Sequence, residues 1–303
     1  MNIVSLARFQ FAMTTVFHFF FVPFSIGTVF VVAVMETMYV HTKNDLYKKM
    51  AKFWGNIFML SFAVGVVTGL IQEFQFGMNW SDYSRFMGDI FGAPLAFEAL
   101  LSFFIESTFI GLWVFTWDRV KKGLHLFFIW MIVFGTMTSA LWILTANSFM
   151  QHPVGYTVRN GRAEMVNFGA LLSNPQVIFE LSHVLMGALL TGATIICGLA
   201  AFQLLKKRSL SDENKQIYHK TMRIGLWLML IFSIGSVTAG DLQMQYLIKE
   251  QPMKFAATEM VYKTTGDKAP WTVVGVANPK THQVYGNIGI PDMLGVLSYH
   301  KTT

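Results

Sequence analysis

"MTTVFHFFFVPF", residues Met13 to Phe24, is an apolar run that contains a single histidine, His18. An imidazole in the hydrocarbon of a bilayer is costly unless something there needs it, so an ionisable residue at that depth indicates a functional site. Pro23 removes the helical hydrogen bond to the carbonyl of Phe19. The run therefore predicts a membrane helix that is kinked next to a functional histidine.

The whole chain has the composition of a membrane protein. Its 303 residues are 53% hydrophobic, 15% aromatic and only 13% charged, which is too apolar for an ordinary soluble domain. The net charge of +6 does not indicate nucleic-acid binding, because the Lys and Arg residues lie in short loops between apolar runs. The one cysteine, Cys197, excludes an internal disulfide and a cysteine-based metal cluster.

Six apolar segments are long enough to cross a bilayer core of about 30 Å as helices. They cover residues 9–35, 53–71, 93–117, 124–149, 177–205 and 224–244. The first segment lacks a small-residue cleavage site, so we expect it to remain as a helix. The sequence thus predicts an all-α membrane protein, a bundle of six transmembrane helices.

The basic residues predict the orientation of this bundle. The loops after spans one, three and five carry four, three and six Lys and Arg residues, whereas the N-terminus and the loops after spans two and four carry four between them. Positive residues favour the cytoplasmic side, so the N-terminus is predicted to lie outside. Residues 1–246 are then the helix bundle. Residues 247–303, which are polar and contain prolines and glycines, are predicted to form an extracytoplasmic loop or tail.

A second histidine shares the predicted depth of His18. His183, in "IFELSHVLMG", also enters from the outside and lies one or two turns below that surface. Two histidines at such depths on separate helices suit axial ligation of haem iron. A hydrogen-bonded core role explains either one equally well. The remaining histidines are expected in solvated positions at helix ends or in loops: His41, His125, His152, His219, His282 and His300.

The third span, in "GAPLAFEALLSFFIESTFIGLW", carries two carboxylates. Glu98 lies near its outer end and Glu106 near its middle, about 80° apart on a straight helix. Stepped glutamates suit a proton relay, although two protonated glutamates bonded within the bundle are an equal alternative. A proton-coupled transporter would also use them, but the inverted repeat it predicts is not seen. Glu180, one turn before His183, either orients that ring or, as we favour, lies near the headgroups.

Four longer stretches resemble a known family. They are "EFQFGMNW" (73–80), "GDIFGAPLAFEALLSFFIESTFIGLWVFTWDR" (88–119), "ALWILTANSFMQHPVG" (140–155) and "QPMKFAATE" (251–259). In order and spacing they resemble subunit I of the bacterial cytochrome bd-type ubiquinol or menaquinol oxidases. The resemblance implies a complex of the bacterial cytoplasmic membrane that oxidises quinol, reduces dioxygen to water and builds a proton gradient. It implies haems b558 and b595 and a third haem of type d or b, with subunit II and a small accessory subunit as partners.

The resemblance also implies roles for particular residues. His18 would be an axial ligand in the high-spin haem site, which holds haems d and b595, and His183 the histidine ligand of haem b558. Glu98 and Glu106 would be the glutamates beside the high-spin haems and on the proton path. Lys254 and Glu259 would be the charged pair of the quinol loop, where a carboxylate takes a proton as quinol is oxidised. Without the resemblance, this last pair would be taken for ordinary solvated charges.

The sequence departs from the family at its end. Members continue past the quinol loop into helices that carry a methionine opposite the b558 histidine, a Gly-Arg-Trp motif and a glutamate ligand of b595, and none of these is present by Thr303. We therefore expect a fragment, a truncated gene product or a chain completed by another polypeptide, at best partly loaded with haem alone. The alternative is a non-catalytic membrane b-type cytochrome or an assembly remnant.

Overall fold

The computed structural model describes residues 2–206, 210–263 and 269–300, and within them it is predominantly helical. The helices are α1 (Ile3–Thr42), α2 (Asp45–Gly77), α3 (Ser81–Phe97), α4 (Phe103–Phe115), α5 (Lys122–Gln151), α6 (Phe168–Leu172), α7 (Pro175–Leu205), α8 (Asp212–Glu250), α9 (Pro252–Thr258) and α10 (Met293–Tyr299). Of these described elements, α1, α2, α3 continued by α4, α5, α7 and α8 are long and apolar enough to cross a membrane.

These six helices confirm the predicted number of spans. Each helix except the third begins and ends at or beyond its apolar segment, because polar caps lie outside the hydrocarbon stretch. Asn44 accepts a hydrogen bond from the Leu46 amide at 3.0 Å, and Asn174 accepts one from the Gln176 amide at 3.1 Å. Lys207 and Arg208, two of the residues counted for the orientation, lie outside the described residues.

Two antiparallel hairpins, which the sequence analysis did not predict, accompany the helices. Strands β1 (Tyr156–Arg159) and β2 (Arg162–Met165) are joined by Asn160 and Gly161, whose φ angles are 50° and 73°. An Asn-Gly pair suits such a two-residue turn because both positions need a positive φ. Strands β3 (Trp271–Asn278) and β4 (Gln283–Ile290) form the second hairpin, inside the segment expected to be a loop or tail.

The chain divides into two compact units, Met1–Ser236 and Val237–Thr303. In the first unit, α1 packs against α2, α5 and α7. Their fully buried apolar side chains form one core that includes Val29, Val32, Trp54, Phe58, Ile129, Ala193 and Ile196. In the second unit, Gln245 of α8 donates to the carbonyl of Leu297 in α10 at 2.9 Å.

The tightest helix crossing in the first unit joins α1 to α7 through two glycines. A Cβ added to Gly27 would lie 2.2 Å from the carbonyl oxygen of Ala188, and one added to Gly192 would lie 2.1 Å from the carbonyl carbon of Gly27. Small residues allow helix backbones to approach this closely in a membrane, where van der Waals packing drives association. The crossing therefore fixes the relative height of α1 and α7.

Candidate functional site

His18 lies on α1 and faces α2. Its Nδ1 atom is 3.1 Å from the hydroxyl oxygen of Thr68. A Cβ added to Gly69 would lie 3.1 Å from the Cε1 atom of the ring, so the imidazole occupies space that any other residue at this position would fill. The ring also interacts with the backbone of Gly65. The contact with Thr68 uses Nδ1, which leaves Nε2 as the nitrogen suited to bind a metal.

His183 lies on α7 and carries an unpartnered nitrogen. Its Nδ1 atom is buried and has no hydrogen-bond partner within the described part of the chain. A buried polar nitrogen left unsatisfied costs about 1–3 kcal/mol, so such an atom needs an explanation. An imidazole that binds an iron atom provides one, because a metal ligand is neutral and uses one ring nitrogen for the bond.

The α1–α7 crossing relates the two histidines. His18 precedes Gly27 by nine residues, and His183 precedes Gly192 by nine residues. At about 1.5 Å per residue, each histidine lies roughly 13 Å along its helix from the point of contact. Successive spans alternate in direction, so α1 and α7, the first and fifth spans, run the same way. The two histidines therefore lie at matching heights along their helices, and their depth in the bilayer stays a prediction.

The third span is not a straight α-helix, which corrects the predicted angle between Glu98 and Glu106. Residues Glu98–Ser102 form a π-helical turn between α3 and α4, in which the Phe103 amide donates to the carbonyl of Glu98. A π turn holds about one extra residue and so turns the following helix back by about 100°. The expected separation of about 80° around the helix axis becomes roughly 20°, so both carboxylates lie on the same face of the third span.

Both glutamates face one stripe of α5. The hydroxyl of Ser139 donates to Glu98 Oε1 at 2.7 Å. One turn earlier on α5, a Cβ added to Gly135 would lie 2.8 Å from Glu106 Cγ. Glu73 of α2, which sequence reasoning did not single out, lies within electrostatic range of Glu98, and Glu98 lies within range of Glu106. The structure thus brings three carboxylates into a series through the first unit.

Glu180 is buried rather than near the headgroups, and it does not orient His183. The side chain is 6% exposed. Its Oε2 accepts from the Ser148 hydroxyl at 2.8 Å, and its Oε1 accepts from the Gln176 side-chain amide at 2.7 Å. Both carboxylate oxygens are therefore used: the bond from Ser148 joins α5 to α7, and the bond from Gln176 lies within α7. Glu180 is a packing residue of the bundle, because a buried carboxylate must be satisfied by hydrogen bonds.

His125 is also buried, at 5% exposure, although a solvated position was expected. Its Nδ1 is 2.6 Å from Glu36 Oε1, and its Nε2 is 2.9 Å from the carbonyl oxygen of Trp113. The Trp113 indole donates to Glu36 Oε2 at 2.7 Å. The sequence signal for this cluster was a carboxylate directly after the first apolar segment, and its partner lies 89 residues away. These bonds join α1, α4 and α5.

The two quinol-loop candidates lie in the second unit. Lys254 is exposed on α9, and Glu259 follows the last turn of that helix and is half-buried. Burial raises the pKa of the Glu259 carboxyl above its ordinary value, because the charged form loses solvation. Once ionised, a carboxyl group with a raised pKa is a stronger proton acceptor than an ordinary glutamate.

Comparison with known proteins relates this geometry to a family. The family model for cytochrome bd terminal oxidase subunit I matches residues 6–303. Cytochrome bd ubiquinol oxidase subunit 1 of Bacillus subtilis (strain 168) is 55% identical over 301 residues, which are 99% of this chain and 63% of the relative. Cytochrome bd-II ubiquinol oxidase subunit 1 of Escherichia coli (strain K12) is 41% identical over 302 residues, which are 99% of this chain and 58% of the relative.

The fold matches a solved structure as well. The bd oxidase from Geobacillus thermodenitrificans has a TM-score of 0.88 and 28% sequence identity, and the match covers 98% of this chain and 67% of that one. The chain spans less than two thirds of the length of the two relatives above. Because the family match extends over almost all of its residues, this chain belongs to the cytochrome bd terminal oxidase subunit I family.

Proposed function

We propose that this chain acts as subunit I of a membrane oxidase that oxidises quinol, reduces dioxygen to water and generates a proton gradient. The observation that carries the proposal is the pair of histidines at matching heights along their helices, His18 with Nδ1 at Thr68 and His183 with an unpartnered Nδ1. Membership of the cytochrome bd family supports it. The alternatives of a non-catalytic b-type cytochrome and of a transporter gain no support from the family match.

Both histidine environments fit a haem ligand. His18 would hold a haem of the high-spin site, of type d or b595, and His183 would hold haem b558, with the third haem of type d or b. When bound, these haems would carry single electrons and present iron to dioxygen. The protein holds the His18 ring at Nδ1 through Thr68, which leaves Nε2 as the nitrogen suited to bind a metal. We assign this haem-binding part to residues 1–246.

Glu98 and Glu106 would hold and pass the protons used in forming water. Each is half-buried or buried, and both face the same stripe of α5. Ser139 donates to Glu98 and so orients its carboxylate, while Gly135 leaves room for the Glu106 side chain. A membrane carboxyl group can carry a proton as a neutral acid at modest cost. The series therefore suits proton transfer along the third span.

Lys254 and Glu259 would act on quinol in the segment of residues 247–303. The Glu259 carboxylate would accept a proton from the quinol hydroxyl, and the Lys254 ammonium would attract the developing oxyanion. The quinol would be ubiquinol or menaquinol. We further propose subunit II and a small accessory subunit as partners in the bilayer.

The first test is a reduced-minus-oxidised absorbance spectrum of the protein purified in detergent from haem-replete membranes. His18→Ala and His183→Ala are each expected to remove a distinct set of haem bands. His219→Ala is the matched control, because His219 is exposed on α8, and it is expected to leave the spectrum unchanged. A folded His18→Ala or His183→Ala variant that keeps every haem band of the wild type would contradict the ligand assignment of that histidine. Quinol-driven oxygen uptake then separates an oxidase from a b-type cytochrome without activity.

A further inference from the structure

Thr68 of α2 touches His18 and is itself buried. Its hydroxyl oxygen is 3.1 Å from His18 Nδ1. The same oxygen is 2.9 Å from the carbonyl oxygen of Val64 and 3.0 Å from that of Gly65, one turn earlier on α2. One hydroxyl group therefore has three hydrogen-bonding neighbours.

The number of protons on the Thr68 hydroxyl decides whether that group donates to His18 or accepts from it. A threonine hydroxyl has one proton to donate and two lone pairs to accept with. The carbonyls of Val64 and Gly65 can only accept, and the Thr68 hydroxyl donates to them in the structure. With its proton used in this way, the oxygen can only accept from His18, and we infer that Nδ1 carries the imidazole proton. In a neutral ring, Nε2 is left with its lone pair.

We propose that Thr68 is a positioning residue for His18, which fixes the imidazole as the Nδ1–H tautomer and aims its Nε2 lone pair at iron. This inference rests on the proposed role of His18 as a haem ligand. A metal-binding histidine usually donates its second N–H to an acceptor, which sets the tautomer and the ring orientation and raises the basicity of the ligand. On this chain the acceptor is a hydroxyl supplied by the neighbouring span.

Gly69 restricts the ring on a second side. Its added Cβ would lie 3.1 Å from Cε1, 3.6 Å from Nδ1 and 3.7 Å from Nε2 of His18, so the edge of the ring lies against the α2 backbone. At Gly65, one turn earlier, an added Cβ would make only an ordinary contact of 3.7 Å with Phe21 Cβ. Thr68 and Gly69 together therefore determine both the proton position and the orientation of the ring.

The test compares variants of the haem-loaded protein purified with its membrane partners. Thr68→Val removes the acceptor at nearly constant shape, and Thr68→Ser keeps it. Thr145→Val is the control for the loss of a helical hydroxyl bond, because Thr145 is fully buried on α5 and its hydroxyl donates to the carbonyl of Leu141 at 2.8 Å. The readouts are the affinity for the haem held by His18, its midpoint potential and the iron–histidine stretching frequency in resonance Raman spectra.

We expect Thr68→Val to weaken binding of this haem by about tenfold or more. The stretching frequency should fall and the midpoint potential should rise, because an imidazole without its acceptor is a weaker donor to iron. Thr68→Ser and Thr145→Val should match the wild type. Gly69→Ala should disturb the same bands by turning the ring.

The outcomes separate this inference from the proposed function. If His18→Ala keeps its full haem content, the ligand assignment itself is wrong. If His18→Ala loses haem but folded Thr68→Val has the wild-type frequency and potential, only the role of Thr68 is overturned. Should Thr68→Val fold poorly, Thr68→Ala removes the same hydroxyl without adding a methyl group, and an unchanged frequency there would equally overturn the inference.

Discussion

At the scale of single residues, Glu36 and His125 show how a membrane bundle accommodates a titratable pair. The Trp113 carbonyl can only accept, so Nε2 of His125 must carry a proton. One further proton lies between Nδ1 and Glu36 Oε1. Whether that proton is on the ring or on the carboxyl, the net charge of the pair is zero, so the cluster avoids the cost of an unpaired buried charge.

This neutrality predicts a contrast between two substitutions of Glu36, which is 1% exposed. Glu36→Gln should change the free energy of unfolding by less than about 1 kcal/mol, because the amide can accept from Trp113 and donate to Nδ1 of a neutral His125. Glu36→Ala should cost about 3–5 kcal/mol, because two buried nitrogens lose their partner. Unfolding by SDS in mixed micelles measures both.

The matched control is Glu213→Ala, which removes an exposed ion pair with Lys49. An exposed pair contributes only about 0–1 kcal/mol. If Glu36→Ala destabilises the protein no more than Glu213→Ala does, the buried cluster is not a stabilising junction of α1, α4 and α5.

Glu259 carries a prediction on pH. Because burial raises its pKa, the carboxylate that would accept the quinol proton is lost at a higher pH than for an ordinary glutamate. We expect the rate of quinol oxidation to fall as the pH is lowered through this raised pKa. Glu259→Gln should lower the rate and remove this acid limb, whereas Glu259→Asp should retain a limb. Asp292→Asn, at an exposed carboxylate of the same unit, should leave the profile unchanged.

The raised pKa of Glu259 also affects stability. Lowering the pH should decrease the rate of quinol oxidation but increase the stability of the folded state. The folded state binds the Glu259 proton more tightly than the unfolded state does, so this group favours the folded state at low pH and the advantage is lost as pH rises through the folded pKa. Glu259→Gln should therefore flatten the fall in stability that accompanies a rise in pH through the pKa of Glu259. A profile of rate or stability with the reverse slope would show that the carboxyl is not held in its neutral form.

At the scale of elements, the contact between Gly27 and Gly192 decides how α1 and α7 meet. Gly192→Ala should force the backbones apart, since its Cβ would lie 2.1–2.5 Å from backbone atoms of Gly27 and Thr28. We expect a loss of about 1–3 kcal/mol in the free energy of unfolding. We also expect lower haem retention, because this contact sets the relative height of the two helices that carry His18 and His183.

Gly198→Ala, on the same helix, is the control for this change. Nothing lies within 4 Å of its added Cβ, and alanine favours a helix over glycine by about 1 kcal/mol. This variant should therefore be at least as stable as the wild type. Equal haem retention in Gly192→Ala and Gly198→Ala would contradict the idea that the crossing sets the height of the two histidines.

Elements also show where reasoning from sequence reached its limit. Apolar length alone predicted the six spans, because a helix must satisfy its own backbone in lipid. The π turn at Glu98–Ser102 was missed, since a stretch of five residues carries no periodicity that separates it from an α-helix. The partners of Glu180 and His125 were missed for another reason. Ser148 lies on a different helix from Glu180, and Glu36 lies on a different helix from His125. The residue spacing within one helix does not predict which helices pack together.

At the scale of the whole molecule, the chain is a multi-pass protein of the bacterial cytoplasmic membrane, with six spans and a family match over residues 6–303. The surface of its bundle is rich in exposed apolar side chains, and the third span is the least buried of the six. In a bilayer such a surface contacts lipid or other membrane helices. The six described spans and the family agree on the fold, but the direction in which the bundle crosses remains a prediction.

The orientation can be tested with single cysteines in a Cys197→Ala background. Val158→Cys lies on the exposed first hairpin, after span four, and Lys121→Cys lies in the loop after span three. The excess of Lys and Arg after spans one, three and five predicts that the second site is cytoplasmic. A membrane-impermeant maleimide should therefore label Val158→Cys in intact cells and Lys121→Cys only after the membrane is broken. The reverse pattern would place the N-terminus inside, and with it His18 and His183 on the cytoplasmic half of the bilayer, where protons for water formation would no longer need the path past Glu106.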